Sequence, residues 1–172
     1  MNRNLLATSL LAIAVIAPMS AQASDGTITF VGGVGPSTCS VSTGSFTVTL
    51  PTLSTTALTT AATTAGHTPF SVDLTACSLV AGATMYFEAG ANVNTTNGRL
   101  NNTGNATNVQ IQIRNSDGSV VDASKASGTQ GTTVVAVASN TATMRYAANY
   151  YATGVAGAGN VASAVTYSVV YN

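Results

Sequence analysis

This sequence has almost no charge. Five Lys and Arg face five Asp and Glu, and together these make up 6% of the chain. Arg99, Arg114, Lys125 and Arg145 are scattered, so no basic cluster exists to neutralise phosphates, and nucleic acid is not expected as a partner. Few charges also make a poor freely soluble monomer, because net charge keeps proteins apart. The composition suits a subunit of an assembly; a secreted domain solubilised by Thr, Ser and Asn is the plainer alternative. Histidine occurs once, at His67. A Ser-His-Asp hydrolase would need it as general base with an acid such as Asp73 behind it, and no nucleophile-elbow motif accompanies it. A surface or loop histidine is the better reading. Asp117 and Asp122 read as turn residues and Glu88 as an outward strand residue. Two cysteines and one distant histidine do not match zinc spacing, so no metal is expected. The glycine-rich runs at 33–36 and 154–159 precede no helical pattern and are not phosphate cradles. No enzyme and no cofactor are expected. Asn94, Asn101 and Asn105 open N-x-Thr sequons, which in a bacterial chain are only loop polarity.

What is present begins with a leader. Arg3, the apolar stretch Leu5 to Ala17 and the small-residue site Ala21-Gln22-Ala23 form a signal peptide over residues 1–23. Its apolar core is short for a bilayer span, and no other segment approaches the ~20 apolar residues a membrane helix needs. Without Arg3, four basic residues face five acidic ones. Cys39 and Cys77 both lie in the exported part, and export leads to an oxidising compartment, so one disulfide is expected between them; two buried free thiols is the alternative.

Residues 24–36 form an arm. Ile28, Phe30, Gly32 and Val34 share one face of an alternating strand, and Thr27, Thr29 and Val31 the other. An apolar strand at a free N-terminus needs a sheet to join, and the expectation is that this sheet belongs to the next molecule. Residues 37–172 read as one domain.

Within that domain apolar residues recur with period two and no helix pattern survives. Strands are expected at Ser45 to Leu50, Pro69 to Cys77, Ala83 to Glu88, Asn108 to Arg114, Thr132 to Val137, Thr141 to Tyr151 and Val161 to Tyr171. Thr52 to Gly66 is expected to be a loop after a short strand end, and Ala89 to Ala106 mostly turn and loop. In Asn108 to Arg114, Val109, Ile111 and Ile113 should face in and Gln110 and Gln112 out. Asn115-Ser116-Asp117-Gly118 should turn a hairpin, with Asp-Gly supplying positive φ, and Ser119 to Val121 should return. About seven short strands with turn signals between them suggest a β-sandwich of immunoglobulin type.

With these residues in view, the chain resembles a chaperone–usher pilin of the type 1 fimbrial subunit family. TITFVGGVGPSTCSV resembles the family's N-terminal extension and first cysteine. PFSVDLTACSL resembles the strand bearing the second, and NVQIQIRNSDGSVV the central hairpin. The tail is the most specific part. Tyr171 is penultimate, and Gly159 is fourteenth counting back from Asn172.

The resemblance implies an all-β, incomplete immunoglobulin-like sandwich that lacks its last strand and is completed by a donor strand from a neighbouring subunit. Ile28, Phe30, Gly32 and Val34 would be that donor strand. Gly159, Val161, Val165, Tyr167, Val169, Tyr171 and Asn172 would form the groove edge that a periplasmic chaperone covers first. Gly33, Gly35 and Pro36 crowd the end of the arm, where glycine weakens a strand and proline removes a ladder donor. The implied partners are the chaperone, an outer-membrane usher, identical or related pilin subunits and, through the assembled fimbria, a host-surface receptor. The implied location is the cell surface, reached through the periplasm. A rod subunit is the leading expectation. A minor adaptor and a monomeric secreted immunoglobulin-like module are the alternatives, and the chain has no room for the extra sugar-binding domain of a tip adhesin.

Overall fold

The structure, a computed structural model, describes residues 29–31, 38–42 and 44–172. The chain divides into two units, Met1–Val34 and Gly35–Asn172. In the first, the signal peptide and Ile28, Gly32 and Val34 lie outside the described residues. Phe30 and Val31 are 89% and 92% exposed.

The described residues of the second unit form eight strands: β1 (Ser40–Val41), β2 (Thr64–Thr75), β3 (Gly82–Phe87), β4 (Leu100–Asn101), β5 (Val109–Asn115), β6 (Val135–Ala136), β7 (Ala142–Ala152) and β8 (Tyr167–Tyr171). One sheet runs β1-β2-β7-β5-β4 and the other β6-β3-β8, with every pair antiparallel. Alternation gives each strand one apolar face. Val72, Leu74, Ile113 and Met144 from the first sheet meet Met85 and Phe87 from the second in one core. This is the sandwich expected from the period-two pattern. Phe87 stands edge-on to Tyr146 at 5.5 Å between ring centres, which ties the two layers together.

The structure corrects several local expectations. β2 begins at Thr64, not Pro69, because Thr64 and Ala65 pair with Tyr151 and Tyr150 ahead of a register shift before Thr68. Gly66 takes φ +72° there, and a Cβ on it would lie 2.9 Å from the Tyr150 ring. Pro69 is tolerated inside β2 because only β7 pairs with that level; β1 reaches no further than Leu74 and Thr75. A short strand, β4, interrupts the expected loop of 89–106. Gln110 and Gln112 face out yet are buried, since β5 is flanked by β7 and β4. Gln110 is held there by Asn101 and Asn97.

The turn after β5 forms as expected, but of its Asp-Gly pair only Gly118 takes positive φ. Gly118 has φ +86° and its N–H donates to Asn115 O at 3.0 Å, while Asp117 Oδ1 accepts the Ser119 N–H at 2.8 Å. The Ser119 hydroxyl and N–H hold the Asp117 carboxyl below its ordinary value. Gln130 is 2% exposed and stands in for a strand at the end of β3: its Oε1 accepts the Phe87 N–H and its Nε2 donates to Phe87 O.

Cys39 and Cys77 form a disulfide, Sγ–Sγ 2.05 Å, across a sequence separation of 38 residues. Closing a loop of that length stabilises by roughly 4 kcal/mol in the chain-entropy account. Replacing both cysteines by alanine should therefore lower the unfolding free energy by that equivalent and raise the denaturant slope, because the unfolded chain without the cross-link is more expanded. A loss under about 1 kcal/mol would mean that the bond contributes little to the fold.

Candidate functional site: a groove beside the last strand

The site is an absence of pairing with a defined geometry. Among the described residues β8 pairs with β3 alone and stands at the edge of its sheet. The bonds to β3 come from even-numbered residues: Glu88 N–H donates to Thr166 O at 2.8 Å, and Asn172 and Gly82 exchange two bonds. In an antiparallel strand, consecutive residues send their N–H and C=O to opposite sides. The odd-numbered residues therefore aim their backbone groups away from β3. Among the described residues nothing bonds to the backbone of Ser163, Val165 or Val169. The odd side chains turn toward the core: Val161, Val165, Tyr167, Val169 and Tyr171 all pack against it, half-buried.

The facing wall is residues 45–50. The expected strand Ser45 to Leu50 has its alternation, with Val48 and Leu50 half-buried against the core, but among the described residues it joins no ladder. Side chains hold it instead. The Tyr167 hydroxyl donates to Gly44 O at 2.7 Å, and the Phe46 ring lies 5.9 Å from Phe70 and 6.4 Å from Tyr167. Burial raises the Tyr167 phenol above its ordinary value, which keeps it a donor across the physiological range. The Tyr150 hydroxyl donates to Pro51 O at 3.1 Å, and the Tyr171 hydroxyl to Cys39 O at 3.3 Å, so the disulfide region is tied to the edge strand.

Between the walls lies a cavity of about 800 Å³ with an apolar floor that includes Phe70, Met85, Phe87, Leu100, Ile111 and Ile113. Val161 sits beyond its end, packed against both this core and a smaller one around Leu58 and Val109. An apolar trough bounded by a strand edge with outward backbone groups is the surface that β-strand addition requires, and left open it is an aggregation hazard.

Not every expected edge residue lies in the groove. Asn172 is spent on β3, its O accepting the N–H groups of Ala81 and Gly82. Gly159 is exposed and lines no part of the groove; a Cβ on it would stand 2.5 Å from Ala106 N, and its φ is +156°. Gly159→Ala should thus cost about 1–3 kcal/mol through overpacking, read as a urea-midpoint shift. Gly44→Ala, where a Cβ meets nothing within 4 Å, is the neutral control. Equal midpoints for the two would refute the close-approach argument. Sequence reasoning missed Phe46, Val48 and Leu50 as groove residues; their alternation was the available signal, but it does not say what the strand faces.

His67 is exposed at the register shift of β2, and the Asp73 carboxylate accepts the Thr143 hydroxyl at 2.7 Å. Asp122 caps its own turn by accepting from Ser124, and Glu88 accepts the Ser168 hydroxyl. Among the described residues no group of three His, Cys, Asp or Glu could hold a metal ion.

The family model for Type-1 fimbrial protein, A (FimA) matches residues 50–172. The major fimbrial subunit SMF-1 of Stenotrophomonas maltophilia (strain K279a) is 44% identical over 167 residues, covering 91% of this chain and 98% of its own. The minor fimbrial subunit HifD of Haemophilus influenzae is 36% identical over 182 residues, covering 93% and 80%. A solved chaperone–usher pilus, studied for the uncoiling of its rod, superposes with a TM-score of 0.61 at 20% identity, covering 91% of this chain and all of that one. At that identity the likeness concerns the fold.

Proposed function

The chain belongs to the type-1 fimbrial protein family, a family of structural fimbrial subunits at the cell surface, and from that premise we propose that it is a rod subunit that polymerises by strand exchange. A periplasmic chaperone covers the groove first and brings the subunit to an outer-membrane usher. The arm of the next subunit, through Ile28, Phe30, Gly32 and Val34, then replaces the chaperone strand beside Val165, Tyr167 and Val169. The completed filament presents whatever receptor-binding surface the fimbria carries.

The observation that most supports this reading is the register of β8. Its odd-numbered residues combine outward backbone groups with core-directed apolar side chains, and an apolar trough runs alongside. That is a half-made sandwich in need of one strand, which fits strand addition as a binding mode. The high similarity to a major subunit supports the rod role over the adaptor role, while the minor-subunit relative keeps the adaptor reading in play.

Material sheared from cell surfaces should contain this chain as the bulk component of a heat-resistant polymer, measured by size-exclusion chromatography and quantitative gel densitometry. A few copies per filament would establish the adaptor reading instead. A monomer throughout would leave a secreted immunoglobulin-like module.

A further inference from the structure

We propose that the loop of residues 102–107 holds the start of the groove edge, residues 160–164, in an extended shape before any strand arrives, with Asn102 and Asn105 as positioning residues. The inference rests on the groove reading above and adds what prepares that groove.

The problem it solves is geometric. β3 ends at Phe87, and its last bond to the edge reaches Thr166. Residues 160, 162 and 164 therefore have no strand on their β3 side. The backbone N–H and C=O of Asn160 and Ala162, and the C=O of Ala164, nonetheless find partners. Asn102 Oδ1 accepts the Ala162 N–H at 2.9 Å and the Gly104 N–H at 2.9 Å, while its Nδ2 donates to Ala106 O at 2.8 Å. The Thr103 N–H and hydroxyl both donate to Ala162 O, at 2.8 and 3.0 Å. Asn105 Oδ1 accepts the Asn160 N–H at 2.6 Å, and the Ala106 N–H donates to Asn160 O at 3.1 Å. Asn92 Nδ2 donates to Ala164 O at 3.2 Å. A loop thus takes the place of a strand, bond by bond.

Two glycines allow the approach. A Cβ on Gly104 would stand 2.1 Å from Asn160 O, and one on Gly159 2.5 Å from Ala106 N. This assigns Gly159 a role that its position outside the groove does not otherwise give it.

The functional consequence is pre-organisation. Ordering backbone during binding costs free energy for every residue fixed, and a surface already fixed avoids that cost. With 160, 162 and 164 bound on one side, the groove-side groups of 161, 163 and 165 are set in extended register. Only the incoming arm must be ordered.

The test uses the mature chain with Phe30→Asp in its own arm, which keeps that arm out of the groove, and, as probe, a synthetic peptide of the unaltered residues 24–37. Amide hydrogen exchange followed by NMR should find Asn160 and Ala162 protected in the peptide-free chain. Ser163 and Val165 should exchange freely there and become protected about 100-fold or more once the peptide seats, as buried ladder amides are. Asn105→Leu, which keeps the size and removes the acceptor, should lose protection at Asn160 and bind the peptide about tenfold more slowly, the fold-change matching one ordinary hydrogen bond. Asn105→Asp keeps the acceptor and should restore both. The proposal is overturned if Asn160 and Ala162 exchange as fast as Ser163 and Val165 before peptide is added. It is equally overturned if the Leu variant binds at the parent rate, or if the Asp variant is as slow as the Leu variant. Should the Leu variant fail to fold, exchange in the parent chain decides. A parent chain with a protected edge that takes up no peptide would overturn the groove reading itself, and with it the role given to the loop.

Discussion

Cells carrying Phe30→Asp or, separately, Gly32→Leu should make no fimbriae while still accumulating the subunit in complex with its chaperone. Phe30 is 89% exposed, a large apolar side chain with nothing of its own to pack against. Burying such a side chain is worth roughly 1.5–3 kcal/mol, and Ile28, Phe30 and Val34 together offer several times the contribution of any one. The opposing term is the entropy of ordering the arm, about 1–2 kcal/mol per residue, so the ladder bonds to the edge of β8 must contribute alongside the burial. An Asp at position 30 reverses the balance, because a carboxylate set on a floor of Phe70, Met85 and Phe87 would have no partner there. Gly32 tests a separate point. If the groove is shallow where Gly32 seats, any side chain clashes; if Gly32 is only a kink in the arm, leucine is tolerated. Electron microscopy for filaments and heating of surface extracts would read the result. Both variants should pull down with the chaperone, since in the proposed function the chaperone covers the edge strand and not the arm. Gly32→Leu fimbriae of normal length and heat resistance would show that the arm does not insert as proposed.

Deleting Tyr171 and Asn172 should have an effect of similar size at an earlier step: no chaperone complex, and degradation in the periplasm. Asn172 makes three backbone bonds, donating to Gly82 O and accepting from Ala81 and Gly82. Tyr171 pairs with Ala83 in register and sends its hydroxyl to Cys39 O. Without these two residues β8 loses the end of its ladder and its tie to the disulfide, and the groove wall frays where it meets the core. Several neutral hydrogen bonds at about 0.5–1.5 kcal/mol each would be lost with a half-buried aromatic ring. Against a total stability of about 5–15 kcal/mol for an ordinary domain, that is a large share. Tyr171→Phe, which removes only the hydroxyl, should be much milder. Normal chaperone pulldown by the truncated chain would remove the assignment of this edge.

The limits of the sequence reading follow from what kind of information each feature needs. Alternation in NVQIQIR and the Asp-Gly turn are local, and the hairpin came out as expected. The start of β2 did not, because Thr64 and Ala65 sit in a Thr/Ala-rich run without apolar period and are strand only through Tyr150 and Tyr151 on β7. Gln110 and Gln112 were rightly turned outward, but their burial comes from flanking strands that the local pattern does not contain. The groove was legible on one side only. The tail from Val161 to Tyr171 announces an apolar strand, although only Tyr167–Tyr171 joins a ladder. The same alternation in Ser45 to Leu50 does not reveal that this strand stands apart from any ladder, as the second wall.

By itself, then, the chain's order of residues determined the all-β class and an exported setting that joins Cys39 to Cys77, and it raised the expectation of an apolar arm ahead of the domain. These rest on period two, composition and leader chemistry, all of which act over a few residues. Tertiary structure alone decided which strands neighbour which, that residues 45–50 and 163–169 face each other across an apolar floor, and that a loop sixty residues upstream in the fold's winding takes up the backbone of Asn160 and Ala162. Those are long-range pairings, set by which backbone groups remain unsatisfied once the two sheets have closed on their core, and no local pattern encodes them.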